Sequence, residues 1–133
     1  GSGRVFLGSF DNEFFLEEIH RFQYPPSFEN GHLRWNFELI FSEITNGLQN
    51  AAKRANELQK ETYSIGVDSW AVDYGLIDKA GNLIANPICY RDSRTENSQK
   101  KVFEIIPKAE IFAKTGIQFL SFNTIFQLVS EDE

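Results

Sequence analysis

The sequence holds a single cysteine, Cys89, in 133 residues. No intrachain disulfide can form, and a reducing, cytoplasmic setting is the expectation. Nor does any apolar run reach the ~18–20 residues that a bilayer-spanning helix needs, so no membrane partner is expected. No basic stretch followed by an apolar one opens the chain, so no secretory signal is expected. Lys and Arg number 13 against 19 Asp and Glu, and the net charge is −6. A nucleic-acid footprint needs clustered basic residues, which are missing here. The two histidines, His20 and His32, lack Cys, Asp or Glu partners at metal-ligand spacing, so no metal ligand is assigned. There is no Walker A loop, nucleophile elbow or zinc motif. A negative chain can still bind phosphate, because backbone N–H groups hold it without net positive charge.

Aromatic residues, by contrast, are abundant. With 13 Phe, 4 Tyr and 2 Trp and 41 % apolar residues, a packed core is expected and disorder is not. Arg4 to Phe10 and Phe14 to Phe22 read as two strands of a hairpin, with Asp11, Asn12 and Glu13 between them. Residues 24–31 read as a loop, because they hold two prolines and an Asn-Gly dipeptide. Leu33 and Trp35 suggest a short strand. Asn36 to Leu58 predicts a helix capped by Asn36, with an apolar stripe from Phe37, Ile40, Phe41, Ile44, Leu48, Ala51, Ala52 and Ala55. Gly47 within it either weakens the helix or permits a close approach.

Further strands are expected at Tyr63 to Val67, Trp70 to Ile77 and Asn82 to Ile88, the last two joined by a turn at Asp78 to Gly81. Thr95 is a candidate cap for a helix facing inward through Val102, Phe103 and Ile106. Pro107 should open another short helix that Gly116 closes. Asn123 or Thr124 should cap a last helix carrying Ile125, Leu128 and Val129. The expected class is α/β, a mixed sheet with helices. The chain opens like the second half of a turn and stops within a helical pattern, so a piece of a larger domain is expected.

Four runs could carry chemistry. Gly1-Ser-Gly-Arg4 is either a tag remnant, a plain turn or a phosphate-binding turn, with Arg4 supplying a charged fork. Asp68-Ser-Trp-Ala-Val-Asp73 follows a predicted strand, where open α/β sheets bind ligands. Its carboxylates, hydroxyl and indole suit a polyol, but Trp70 and Val72 also suit a strand core. Tyr90-Arg-Asp-Ser-Arg-Thr95 reads as a salt-bridge cluster or as one wall of a site. Gly116 to Thr124 is mainly packing with embedded amides, Asn123 among them. Cys89 reads as a buried small hydrophobe.

Taken in order, these runs carry a resemblance. Ser2-Gly-Arg-Val5, Glu18-Ile-His-Arg-Phe22, Asn30-Gly31 with Trp35, Ser64-Ile-Gly-Val-Asp68, Trp70-Ala-Val-Asp73, Tyr90-Arg-Asp-Ser-Arg-Thr95 and Gly116-Ile-Gln-Phe-Leu-Ser-Phe-Asn-Thr124 are similar to the rhamnulokinases. That group belongs to the carbohydrate kinases that include glycerol kinase and xylulokinase. The resemblance implies a ribonuclease-H-like, actin-like domain whose first strand precedes Gly1. It implies Mg and ATP as cofactors and transfer of phosphate to the 1-hydroxyl of L-rhamnulose. It places Gly1, Ser2, Gly3 and Arg4 at ATP, and Trp70, Ala71, Asp73 and Phe122 at the sugar. Ala71 stands where the group has glycine. The catalytic base is expected beyond Glu133, as is the adenine-binding domain, so this stretch by itself should be inactive. Two alternatives stay open: a kinase for xylulose, fuculose or glycerol, and a non-catalytic ribonuclease-H-like binding module. Loss of a neighbouring strand also predicts self-association through an open sheet edge.

Overall fold

The structure, a computed structural model, describes residues 1–132. It is a mixture of strands and helices divided between two compact units. The first comprises Gly1–Pro26 with Trp35–Ser69, and the second Ser27–Arg34 with the chain from Trp70 onward.

In the first unit, β1 (Ser2–Asp11) and β2 (Glu13–Gln23) form an antiparallel hairpin. The loop tightens to Asn12, whose φ of 64° is the left-handed conformation that Asn tolerates. The pairing slips between Val5 and Phe6, where Val5 faces His20 and Phe6 faces Glu18. Such a bulge lets the ribbon twist. Helix α1 (Phe37–Glu57) packs on the hairpin, and Asn36 Oδ1 accepts the Leu39 N–H at 2.9 Å as the predicted cap. Its inward face is narrower than the sequence stripe. Gly47 and Ala55 are buried, whereas Phe37 and Phe41 are exposed.

Gly47 resolves its own ambiguity. A Cβ there would sit 2.4 Å from Val5 Cγ2 and 3.0 Å from Val5 Cβ. The helix backbone therefore rests directly on β1. Two ion pairs flank this contact: His20 with Glu43 at 2.6 Å and Arg54 with Glu17 at 3.1 Å.

The second unit holds a short hairpin of β3 (Ser27–Glu29) and β4 (His32–Arg34), where a loop was expected over 24–31. Its Asn30-Gly31 turn carries φ values of 50° and 86°, as the dipeptide predicts. Helices α2 (Ser98–Ile105), α3 (Lys108–Thr115) and α4 (Thr124–Val129) follow. Pro107 opens α3 and Gly116, at φ 64°, closes it, as expected. Val102, Ile111 and Phe126 form the buried cluster, with Phe103, Phe119 and Val129 against it.

Three expected strands do not form. Residues 63–67 pair with nothing among the described residues, and Tyr63 and Val67 are 91 % and 81 % exposed. A strand without a neighbour has no partner for its backbone. Residues 70–77 and 82–88 keep only isolated bridges, Ile77 with Leu83 and Arg34 with Ile88. Val72 explains the first of these, because its φ of 80° breaks an extended run. Pro87 removes a donor from the second. The Asp78 to Gly81 turn does form, with Asp78 Oδ1 accepting the N–H groups of Ala80 and Asn82. The strands thus make two separate two-stranded sheets in place of one mixed sheet. Thr95 does not cap α2. It is buried in a 3₁₀ turn, Ser93–Thr95, and α2 starts three residues later. The final helical pattern reaches Asp132, and Glu133 lies outside the described residues.

Gly47→Ala tests the helix contact. Ala gains up to about 1 kcal/mol of helix propensity, but the β-branched Val5 is stiff at χ1 and cannot swing away. The variant should lose about 1–3 kcal/mol in urea unfolding. Adding Val5→Ala should recover part of that loss in a double-mutant cycle.

Candidate functional site

The residues with most chemical potential gather in the second unit around Asp73. Its Oδ2 accepts from Trp70 Nε1 at 3.1 Å and from the Tyr90 N–H at 3.2 Å. Its Oδ1 lies 3.3 Å from Gln127 Nε2. The carboxylate is thereby held by an indole, a main-chain amide and a side-chain amide. Trp70 remains 38 % exposed, so the held carboxylate and a partly exposed indole stand side by side. Between them run Ala71, which is exposed, and Val72 in its left-handed conformation.

Gln127 is the organising group. It is 1 % exposed, and its Nε2 also donates to the carbonyls of Phe122 at 3.0 Å and Val72 at 3.2 Å. Thr124 Oγ1 donates to the same Val72 carbonyl at 2.8 Å. On its other side Gln127 Oε1 accepts from Arg94 Nη2 at 3.0 Å. The amide orientation follows from chemistry: carbonyl and carboxylate oxygens only accept, and a guanidinium only donates. Phe122 packs edge-on against the Tyr90 ring with centroids 5.4 Å apart.

The Tyr90 to Thr95 run forms a wall. Arg91 lies over the Tyr90 ring at 5.4 Å and donates from Nε to its hydroxyl at 3.0 Å. Asp92 is buried and caps the 3₁₀ turn through the Arg94 N–H at 3.0 Å. It also accepts the Leu33 N–H at 2.7 Å and meets His32 Nδ1 at 3.1 Å. Burial pushes the Asp92 carboxyl upward, but the Leu33 N–H, His32 and the Arg94 N–H overcome it and hold the group below the ordinary carboxylate value. The Arg94 side chain is only 7 % exposed and pairs with Glu131 at 2.6 Å. Tyr74 donates to the same carboxylate at 2.7 Å. Burial, then that hydrogen bond, pushes the Tyr74 hydroxyl up to about 12, so it stays a donor.

The structure brings Trp70, Ala71, Asp73 and Phe122 into one neighbourhood. Gly1, Ser2, Gly3 and Arg4 belong to the first unit, and the expected turn is not what they form. Ser2, Gly3 and Arg4 lie in β1, paired with Gln23, Phe22 and Arg21. The Gly1 carbonyl accepts the Tyr24 N–H at 3.1 Å. An added Cβ at Gly3 would lie 2.1 Å from Phe22 Cζ, so the ring would have to shift. Asn123 is the N-cap residue of α4, its carbonyl accepting the Phe126 and Gln127 N–H groups, but its side chain makes no capping bond; its Nδ2 donates to the Gln118 carbonyl at 2.8 Å. Cys89 is 1 % exposed, and burial raises its thiol pKa, as suits a packed, unreactive sulfur. Sequence reasoning missed Gln127, Thr124 as a clamp, and the depth of Asp92. A lone amide between Phe126 and Leu128 in an apolar helix was the available signal.

Comparison with known proteins now bears on this arrangement. Residues 11–129 match the FGGY family of carbohydrate kinases, N-terminal domain. The chain belongs to the FGGY carbohydrate kinase family. It is 44 % identical over 133 residues to a rhamnulokinase of Ligilactobacillus salivarius, covering 99 % of this chain and 27 % of that protein. It is 43 % identical to a rhamnulokinase of Mannheimia succiniciproducens, covering 96 % of this chain and 26 % of that one. A rhamnulokinase of Bacillus subtilis is 40 % identical over 98 % of this chain and 26 % of its own length. The chain thus spans about a quarter of the length of these curated relatives. Among the described residues no helix is long and apolar enough to cross a membrane, and no group of three or more His, Cys, Asp and Glu gathers as a metal cage.

Asp92→Asn tests the wall. It should cost about 1–3 kcal/mol near neutral pH, because buried donors lose a charged acceptor. The folded-state pKa of Asp92 is depressed, so its contribution is complete above the unfolded carboxylate value of about 3.9 and fades as pH falls through the lower folded value. The stability gap between wild type and variant should therefore narrow on acidification, read from urea midpoints at stepped pH. Glu131, also held low, should keep part of the acid sensitivity in the variant.

Proposed function

We propose that the protein containing this chain is an ATP-dependent kinase that phosphorylates L-rhamnulose at its 1-hydroxyl, working in the cytoplasm. The observation that carries the reading is the fixed Asp73 carboxylate beside Trp70, in a family of carbohydrate kinases whose similar members are named rhamnulokinases. A carboxylate with its geometry set by three donors suits orientation of a sugar hydroxyl, and an indole face suits its C–H face. The Ala71 backbone would approach the sugar, and Phe122, held by Tyr90, would close one side. The domain is proposed to be ribonuclease-H-like.

Mg-ATP would supply the phosphoryl group and neutralise its charge when bound. Ser2 and Arg4 are exposed along β1 and fit a contact to phosphate oxygens from one side. They do not form a loop of converging N–H groups, so with Gly1 and Gly3 they are proposed as an edge of the ATP site only. The base that takes the hydroxyl proton would come from residues beyond Glu133. Self-association is proposed through the hairpin, where β1 and β2 pair only with each other among the described residues, and Phe10, Phe14 and Phe15 are 76 %, 69 % and 64 % exposed.

A coupled ADP-release assay on the full-length protein tests the function. L-rhamnulose should exceed xylulose, fuculose and glycerol in kcat/KM by about tenfold or more. Asp73→Ala should raise the sugar KM while leaving the ATP KM nearly unchanged. A preference for another sugar would overturn the assignment. The 133-residue chain alone should show no sugar-dependent turnover.

A further inference from the structure

We propose that Gln127 is a positioning residue for the sugar: with Thr124 it holds Val72 in a left-handed backbone and so sets how Trp70, Ala71 and Asp73 face the substrate. The inference rests on the sugar-binding reading above and adds to it the device that shapes that wall.

Three observations carry it. Val72 has φ 80°, which a β-branched residue adopts only under external restraint. The restraint is present, because the Val72 carbonyl accepts both Thr124 Oγ1 at 2.8 Å and Gln127 Nε2 at 3.2 Å. The same amide reaches Asp73 Oδ1 at 3.3 Å and the Phe122 carbonyl at 3.0 Å. One nearly inaccessible side chain therefore fixes the strained residue, the carboxylate after it and the aromatic opposite. Gln127 is itself fixed by Arg94 at 3.0 Å, and Arg94 by Glu131 at 2.6 Å. The direction of the effect follows. Releasing Val72 lets the segment relax toward extended backbone, which turns Ala71 and Asp73 away from their present positions. The residues proposed for the ATP edge belong to the first unit, so the change is expected on the sugar KM.

The test uses the full-length kinase with L-rhamnulose. Gln127→Leu should raise the sugar KM by about tenfold, the equivalent of one lost hydrogen bond of about 1.4 kcal/mol, with the ATP KM within about twofold. Thr124→Val, a milder change, should raise it in the same direction by a smaller factor. The decisive variant is Val72→Gly in the Gln127→Leu background. Glycine adopts positive φ without a clamp, so the sugar KM should recover at least partly. A purely structural glutamine would lower stability without this recovery. Unchanged sugar KM in both Gln127→Leu and Thr124→Val, or no recovery with Val72→Gly, overturns the inference while wild-type turnover leaves the sugar-kinase reading standing. If Gln127→Leu does not fold, Thr124→Val alone decides, and an unchanged sugar KM there overturns it. Absence of sugar-dependent turnover in the wild type overturns both.

Discussion

A single buried primary amide ties together three stretches of the second unit. Gln127 touches residues from three separate stretches: Val72 and Asp73, Arg94, and Phe122 just before its own helix. These groups are part-buried, and the amide itself is almost wholly buried, where an unmet hydrogen bond costs more than a met one gains. The amide satisfies acceptors with one end and a guanidinium with the other. A carboxylate in its place would face three acceptors, and an aliphatic chain would meet none of them. The strain at Val72, about 1–3 kcal/mol for such a backbone, is sustained only because this network over-determines the segment.

The first unit is held by different physics. There a helix lies on a hairpin through steric fit, and the close approach is written into Gly47 opposite Val5. The ion pairs beside it, His20–Glu43 and Arg54–Glu17, are partly exposed and add little stability on their own. The aromatic ladder His20, Phe22, Tyr24 and Trp35 continues the contact along β2 to the chain entering α1.

Local signals in the sequence were dependable where the structure is local. The hairpin, the Asn36 cap, the Pro107 and Gly116 boundaries and the Asp78 turn follow from side-chain chemistry within a few residues. The missed strands were non-local failures, whereas the Thr95 cap and the β3–β4 hairpin were local ones. Residues 63–67 have the composition of a strand, but a strand is a relation to a neighbour and they find none among the described residues. Val72 lies in an alternating run that reads as extended, and only Thr124 and Gln127, more than fifty positions away, turn it left-handed. The candidate site was half legible for the same reason. Trp70, Ala71, Asp73 and Phe122 stood out through residue type and resemblance, whereas Gln127 looked like one stray amide in a short apolar helix. Its importance comes from what folds onto it.

The placement of Gln127 next to Phe126 ties the wall of the site to the core. Successive helix residues point about 100° apart. Phe126, fully buried, is driven into the cluster of Val102 and Ile111 and against Phe103 at 5.6 Å. That anchoring fixes the rotation of α4 and aims Gln127 at Val72 and Asp73. The end of the helix is fixed separately, by the buried Ser98–Ser130 hydroxyl pair and by Ser130 donating to the Arg94 carbonyl at 3.3 Å. A short helix of six residues would fray in isolation, yet here it carries a buried amide bonded to four other residues. Apolar packing thus supplies the rigidity, and the amide converts it into a fixed carboxylate at the surface. A substitution at Phe126 would loosen Asp73 without touching it. In this domain the hydrophobic core and the candidate sugar wall are two faces of the same helix.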